Sequence, residues 1–296
     1  MKNILLGTDW WTDCDDAVAM RVLTKHIRED KVRLLGIGIN ACMEDSVASL
    51  KGFLEADGVT GIPLGIHLAA DDFGGKLTYQ FRLVRDLCPN GSNADAMDAV
   101  RLYRTVLSKT TEPVEIIEIG YLQVIDGLLR SEGDDISPQS GIDLVKEKVS
   151  KVWVMAGKWD EVGGRENNFC RNVRSCVAAA HFCETCPVPV TFLGYEIGYG
   201  IRTGSRLDHN DHLYRVLWHH GCAERGRHSW DPMTMLMALI GDEAAAGYDT
   251  VSGYASVDAE NGANFFRRDP RGPHCYVVKA KEDDYYKNEI DKIIAS

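Results

Sequence analysis

"LLGTDWWTDCDDAVAM", residues 5–20, changes character twice within sixteen residues. An apolar run ends at Gly7, and four aspartates (Asp9, Asp13, Asp15, Asp16) follow within eight residues. From Asp15 onward apolar positions recur at helical spacing through "DDAVAMRVLTKHI". This is the pattern of a short buried strand that hands a loop to the start of a helix. The unit recurs along the chain. "VRLLGIGIN" reads as a strand bounded by Gly and Asn, "SVASLKGFLEADG" as a helix closed by Gly58, and "IPLGIH" as a third strand. "VEIIEIG" (114–120), "KVWVMAG" (151–157) and "VPVTFLG" (188–194) are further apolar runs that end at Gly. Strand and helix in alternation predict an α/β fold: a Rossmann-like open sheet, mostly parallel, with helices on both faces. Ligands of such sheets bind outside the carboxyl ends of the strands, which is where the aspartates fall.

The chain has 296 residues, 45% hydrophobic and 26% charged, an ordinary globular balance with enough length to bury a sizeable core. Its formal net charge of −11 argues against nucleic acid as a partner, because phosphate binding needs a basic face. No apolar stretch approaches the roughly 18 residues of a membrane span, so no membrane partner is expected and a cytoplasmic enzyme or binding protein is the default. No linker, low-complexity tract or repeat interrupts residues 1–296, which read as one domain with an irregular loop or insertion around 70–100 and a closing helix in "AKEDDYYKNEIDKIIAS". The nine cysteines are scattered and odd in number, as expected of reduced thiols. Cys183 and Cys186 have CxxC spacing, but no second CxxC completes a zinc site, and they read as ordinary thiols near a helix end stopped by Pro187.

Four carboxylates in eight residues repel one another unless something neutralises them, and the compact remedy is a divalent cation. Oxygen-only ligands select calcium or magnesium over zinc. The competing reading is helix capping by Asp13 or Asp15, with the other acids favoured by the positive helix end. Capping does not account easily for Asp9, at the strand end. A further acid on a loop before an apolar helix is Asp231 in "HSWDPMTMLMALIG".

Taken together, these segments resemble the inosine/uridine-preferring nucleoside hydrolase family. The family opens with a D-T-D-x-G-x-D-D-A-x-A-L type motif, sometimes with two extra residues before the Asp pair, and "GTDWWTDCDDAVAM" is similar to the longer form. "WDPMTMLMAL" resembles its acid-Pro motif, "GIGINACMED" a strand end bearing a sugar-binding Asn, "IEIGYLQVI" the G-x-L-T-N segment, and "VMAGKWDEVGGRENNF" the M-G-G…E-x-N segment. The resemblance implies that Asp9, Asp16, the Gln123 carbonyl and Asp231 hold a calcium ion. It makes Asp15 the base that deprotonates a metal-bound water, and gives Asn40, Glu166 and Asn168 to the sugar hydroxyls and the oxocarbenium-like sugar. The implied substrate is a small-molecule nucleoside, and the implied assembly is a homo-oligomer, dimer or tetramer.

Three departures stand out. Residue 7 is Gly where the family has the first Asp of D-T-D, which removes support from behind the metal ligands. Gln123 and Val124 replace T-N, a change a carbonyl ligand tolerates. Trp230 precedes Asp231 where many members carry a His that protonates the leaving base; Trp at this point occurs in purine-preferring members, which sandwich the base between rings. Packing under the helix is the alternative for Trp230, and core or rim packing for Trp10 and Trp11. Asp160, the histidines of "DHNDH", His228 and Arg227 are looser candidates.

The expected function is therefore calcium-dependent hydrolysis of the N-glycosidic bond of a ribonucleoside or nucleoside-like compound to base and ribose. Two other readings stand beside it. One is a relative that binds a ribosyl ligand without turnover. The other is a magnesium-dependent phosphatase, for which "GTDWWTD" lacks the compact D-x-D.

Overall fold

A computed structural model describes residues 1–75 and 78–296; residues 76 and 77, inside the stretch expected to be irregular, lie outside the described residues. Among the described residues the strands are β1 (Lys2–Thr8), β2 (Val32–Ile39), β3 (Leu64–Ile66), β4 (Met97–Asp98), β5 (Val114–Glu118), β6 (Val149–Met155), β7 (Val190–Leu193), β8 (Arg202–Thr203), β9 (Arg227–His228), β10 (Tyr248–Val257), β11 (Asn264–Arg268) and β12 (His274–Lys279). The helices are α1 (Asp15–Arg28), α2 (Ser46–Ala56), α3 (Gln80–Leu87), α4 (Ala99–Lys109), α5 (Gln123–Arg130), α6 (Gly141–Lys148), α7 (Asn167–Cys170), α8 (Val173–Thr185), α9 (Tyr195–Gly198), α10 (His212–His220), α11 (Trp230–Ile240) and α12 (Asp283–Ile294).

Ten strands form one sheet in the order β11-β10-β12-β7-β6-β5-β1-β2-β3-β4, and β8 pairs with β9 separately. From β7 through β4 every pairing is parallel, and β12 joins β7 in parallel. The fold is the expected α/β class. β1 lies between β2 and β5, so the order reverses at β1 and the chain leaves its carboxyl end at a topological switch point, the usual place for a ligand crevice. Ile4, Leu5 and Leu6 are fully buried because both faces of β1 are covered. Ile4 and Leu6 pack on the face with Val18 and Val22 of α1 and Met233 and Met237 of α11, whereas Leu5 joins Tyr103 of α4 and Leu128 of α5 on the other.

The two helices that matter most to the site start just past the sheet. α1 is capped by Cys14, whose side chain makes no capping hydrogen bond, so neither Asp13 nor Asp15 is spent on that role. α11 takes Pro232 in its first turn, where the missing N–H costs nothing, and ends at Gly241 in the left-handed region (φ 81°). α1 and α11 pack against each other, which carries Asp231 to the aspartates of the first loop.

The segment around 70–100 holds more structure than an irregular loop: α3, a 3-10 turn at Asn93–Asp95, and β4 at the sheet edge. The antiparallel β10–β11 and β10–β12 pairings were not expected from the sequence. Their strands are half exposed, and "TVSGYASV" has none of the solid apolar character that marks the buried parallel strands.

Candidate functional site

Asp9, Asp15, Asp16 and Asp231 come together at the carboxyl end of the sheet, and none is more than 6% exposed. Asp9 follows β1, Asp15 and Asp16 open α1, and Asp231 opens α11. Thr8 Oγ1 donates a short hydrogen bond to Asp16 Oδ1, which also accepts from the Trp10 backbone N–H at 3.3 Å. Among the described residues, Asp9 Oδ1 and Asp16 Oδ2 are buried with no hydrogen-bond partner. Burial pushes the Asp9 and Asp231 carboxyls well above the ordinary range, and the neighbouring aspartates push them further. Asp16 is raised to about 7, first by burial and then by Asp13. Buried carboxylates in one another's field cannot all be charged alone, and the unpartnered oxygens supply what a hard divalent cation binds. The donor set therefore fits calcium or magnesium.

The loop that presents these acids is held by its tryptophans. Trp10 has a positive φ of 43° and is fully buried, edge-on to Phe53 and Tyr79, with its indole N–H donating to Ser49 Oγ at 2.9 Å. Trp11 packs edge-on against the stacked pair of Phe73 and Tyr121, with the Arg171 guanidinium 4.5 Å from its ring centroid. Gln80 Nε2 donates to the Trp10 carbonyl at 3.0 Å and to the Trp11 carbonyl as well. Both rings belong to the packing of the loop; neither lines the acidic cavity.

Asn40 and Gln123 meet beside Asp9. Asn40 is fully buried after β2, its Oδ1 accepts the Tyr121 backbone N–H at 3.0 Å, and Gln123 Nε2 donates to its carbonyl. Gly120 makes this approach possible, since a Cβ there would stand 2.7 Å from Asn40 Oδ1 and closer still to the Asp9 backbone. Asn40 Nδ2 and Gln123 Oε1 are both buried without partners among the described residues.

A cavity of about 150 Å³ lies over the acids, bounded by Asp9, Asp13, Asp15 and Asp231 on one side and by Glu166, Asn167 and Asn168 on the other. Glu166 accepts from the backbone N–H of Asn168 at 2.8 Å and of Gly157 at 3.1 Å, while burial raises its carboxyl to about 7. Asn168 Nδ2 donates to the Met155 carbonyl at 2.9 Å, and Asn167 Nδ2 to Tyr121 Oη at 3.2 Å. Trp230 and Tyr195 close the rim, stacked with centroids 5.3 Å apart, and the Trp230 indole N–H donates to the Tyr195 carbonyl at 2.7 Å. A larger depression of about 390 Å³ near residues 59–64 lies at the amino end of β3, away from the convergent acids.

Arg227 also enters this cavity. Its Nη2 lies 2.8 Å from Asp13 Oδ2 and its Nε 3.2 Å from Asp15 Oδ1. Burial and Asp13 raise the Asp15 carboxyl well above its ordinary value, and Arg227 opposes that rise. Asp13, read from the sequence as a capping candidate, is instead the outer half of an ion pair. His228 stacks on Tyr199 and sits 2.7 Å from Arg202, and burial with these cations lowers its imidazole to about 4, which disfavours it as a proton donor near neutrality.

At the departure from D-T-D, Gly7 faces Glu118 of β5. The Glu118 carboxyl is fully buried, accepts from Tyr103 Oη at 3.1 Å, and fills the space a side chain at residue 7 would take. Burial raises it to about 8. Sequence reasoning missed Glu118, Tyr195 and Asn167. The signal for Glu118 was the second of two acids in the otherwise apolar "VEIIEIG", the one nearer the carboxyl end. Asp160 is exposed and pairs with Lys158 at 2.7 Å, outside the cavity. His209 stacks on Tyr214 while His212 reaches Asp57 at 2.9 Å, so "DHNDH" does not converge.

No protein-family model matches the sequence, and no curated protein does. Solved structures match along the whole chain. An inosine-uridine preferring nucleoside hydrolase from Bacillus anthracis aligns with a TM-score of 0.68 at 13% identity, covering 100% of this chain and 99% of that one. A purine-preferring ribonucleoside hydrolase from Gardnerella vaginalis aligns at 0.73 and 16%, covering 99% and 98%. The type III effector protein XopQ, complexed with adenosine diphosphate ribose, aligns at 0.68 and 14%, covering 99% and 93%. The chain has the fold of these structures.

Proposed function

We propose that this protein is a calcium-dependent hydrolase that cleaves the N-glycosidic bond of a ribonucleoside or nucleoside-like compound. The observation that carries this reading is the convergence of Asp9, Asp15, Asp16 and Asp231, with buried unpartnered oxygens on Asp9 and Asp16, below a cavity walled by Glu166 and Asn168. Asp9, Asp16, the Gln123 carbonyl and Asp231 would hold the cation. When bound, calcium supplies positive charge that acidifies a neighbouring water and attracts vicinal hydroxyls.

The remaining chemistry belongs to side chains. Asp15 accepts the proton of the attacking water. Glu166, fixed by two backbone N–H groups, faces the sugar and favours positive charge on its ring as the bond to the base breaks. Asn40 and Asn168 bind sugar hydroxyls. The cavity of about 150 Å³ is small beside usual ligand pockets of roughly 300–1,000 Å³, which suits a sugar and leaves the base at the rim against Trp230 and Tyr195. Stacking there favours an electron-poor purine.

The test is a panel of purine and pyrimidine nucleosides incubated with the calcium-loaded protein, with free ribose as the readout. Ribose release that is abolished by chelation and by Asp15→Asn is the expected result. Silence toward every nucleoside and toward p-nitrophenyl riboside, with calcium bound, would reject hydrolysis.

One observation favours a second reading, binding of a ribosyl ligand without turnover: Arg227 already engages Asp15. The XopQ structure contains adenosine diphosphate ribose. Tight binding of that compound by calorimetry, with no product formed, would select this alternative.

A further inference from the structure

Cys14, His220 and Cys222 converge next to the acidic loop, outside the cavity. Cys14 is the residue before Asp15 and caps α1; His220 ends α10, and Cys222 follows after Gly221, whose φ is 81°. The two Sγ atoms are 3.6 Å apart, and one ligand atom from each of the three residues lies within 4.8 Å of the others. Both cysteines are buried, and His220 Nδ1 is buried with no hydrogen-bond partner among the described residues.

We propose that Cys14, Cys222 and His220 form a second metal site, for a zinc-class cation. Two thiolates on a tetrahedral zinc, with Zn–S bonds of about 2.3 Å, stand roughly 3.8 Å apart, close to the separation found here. A disulfide needs about 2.05 Å. Sulfur and imidazole donors also separate this site chemically from the aspartates, which offer only oxygen: soft ligands select zinc, hard ones calcium. Charge is balanced locally. Two thiols lose their protons to solvent as two S–Zn bonds form, so two thiolates offset the dication, while the neighbouring Arg227 is already neutralised by Asp13 and Asp15.

Three protein ligands leave a fourth position for water. Cys222 also borders an open depression of about 660 Å³ with Trp218 and Arg225, which gives the ion a path in. The bound cation clamps the residue preceding Asp15 to the end of α10, a few residues before the segment that carries Arg227 and Trp230. This site does not depend on the proposed reaction.

The test uses the full chain, stripped of metal, saturated with calcium and then titrated with zinc alone against a chromophoric zinc indicator. One equivalent of zinc should bind and raise the thermal midpoint, and cobalt in its place should give sulfur-to-cobalt charge-transfer absorption. Cys222→Ser should abolish that absorption, and His220→Ala should weaken zinc at least about tenfold, on the scale known for disturbed metal sites. Calcium binding and circular dichroism of each variant report whether it has folded. Should Cys222→Ser fail to fold, alkylation mapping of the unaltered chain decides: zinc must shield Cys14 and Cys222. The proposal falls if zinc does not bind with calcium present, if His220→Ala binds it equally well, or if zinc binding is lost in Asp9→Asn and kept in the cysteine variant.

Discussion

The carboxyl of Glu118 occupies the space above Gly7: a Cβ at residue 7 would stand 2.8 Å from Oε1 and nearer still to Oε2. The two residues are paired in register on adjacent parallel strands, and Tyr103 holds the acid from α4. A buried acid thus stands beside residue 7, contributed by β5.

Gly7→Ala should therefore destabilise the fold by about 1–3 kcal/mol, the usual cost of overpacking a close-packed interior. Adding Glu118→Gly to the same chain should recover part of that loss, because the collision is removed. Urea midpoints of the single and double variants measure the coupling, and strictly additive effects would contradict the contact.

The same carboxyl predicts a pH dependence. Burial raises Glu118 from an ordinary 4.5 to about 8, so between these values the folded chain keeps a proton that the unfolded chain has lost. Its contribution to stability is thus greatest below the ordinary value and declines as pH rises through the folded one. Glu118→Gln should flatten this decline by on the order of a few kcal/mol, read from urea unfolding across the window with calcium saturating. An unchanged slope would mean that the carboxyl is not buried in this way.

Arg227 offers a different test. Its ion pairs with Asp13 and Asp15 place a positive charge beside the proposed cation. In Arg227→Met calcium should bind several-fold more tightly as repulsion is relieved, while turnover falls about tenfold because Asp15 loses its orienting partner. Calcium titration alongside steady-state kinetics separates the two effects, and a variant unchanged in both would make Arg227 a surface tie only.

For Trp230 the expected signature is selective. Trp230→Ala should raise KM and lower kcat for purine nucleosides, together worth about 1–2 kcal/mol of stacking, while leaving calcium affinity unchanged. A uniform loss across purines and pyrimidines, with a lower thermal midpoint, would assign Trp230 to packing under α11 instead.

Much of this architecture was legible in the sequence because buried parallel strands are solidly apolar and end in turns. That character located β1, β2, β3, β5, β6 and β7, and the rule about carboxyl ends located Asp9 to Asp16. The half-exposed strands of the sheet edge lacked it. Glu118 was hidden for the opposite reason: it lies inside an apolar strand, where an acid reads as an outward-facing residue until the neighbour across the ladder is known to be glycine. Arg227 and Tyr195 come from short elements with no periodicity: Tyr195 follows the carboxyl end of β7, and Arg227 lies in β9 just before α11. The tryptophans show what spacing cannot tell. Adjacent to the acids in sequence, Trp10 and Trp11 point away from them and anchor the loop instead.

The packing of α1 on α11 also bears on how the chain folds. Asp16 and Asp231 are separated by roughly 215 residues, so the acids meet only after most of the sheet has been synthesised and aligned. Contacts of such long range form late on a folding path, which makes the assembled cluster a feature of the finished molecule and not of its nucleus. An ion that recognises only this late arrangement would act as a latch: calcium should lengthen the lifetime of the native state by slowing unfolding, and leave the speed of folding nearly untouched.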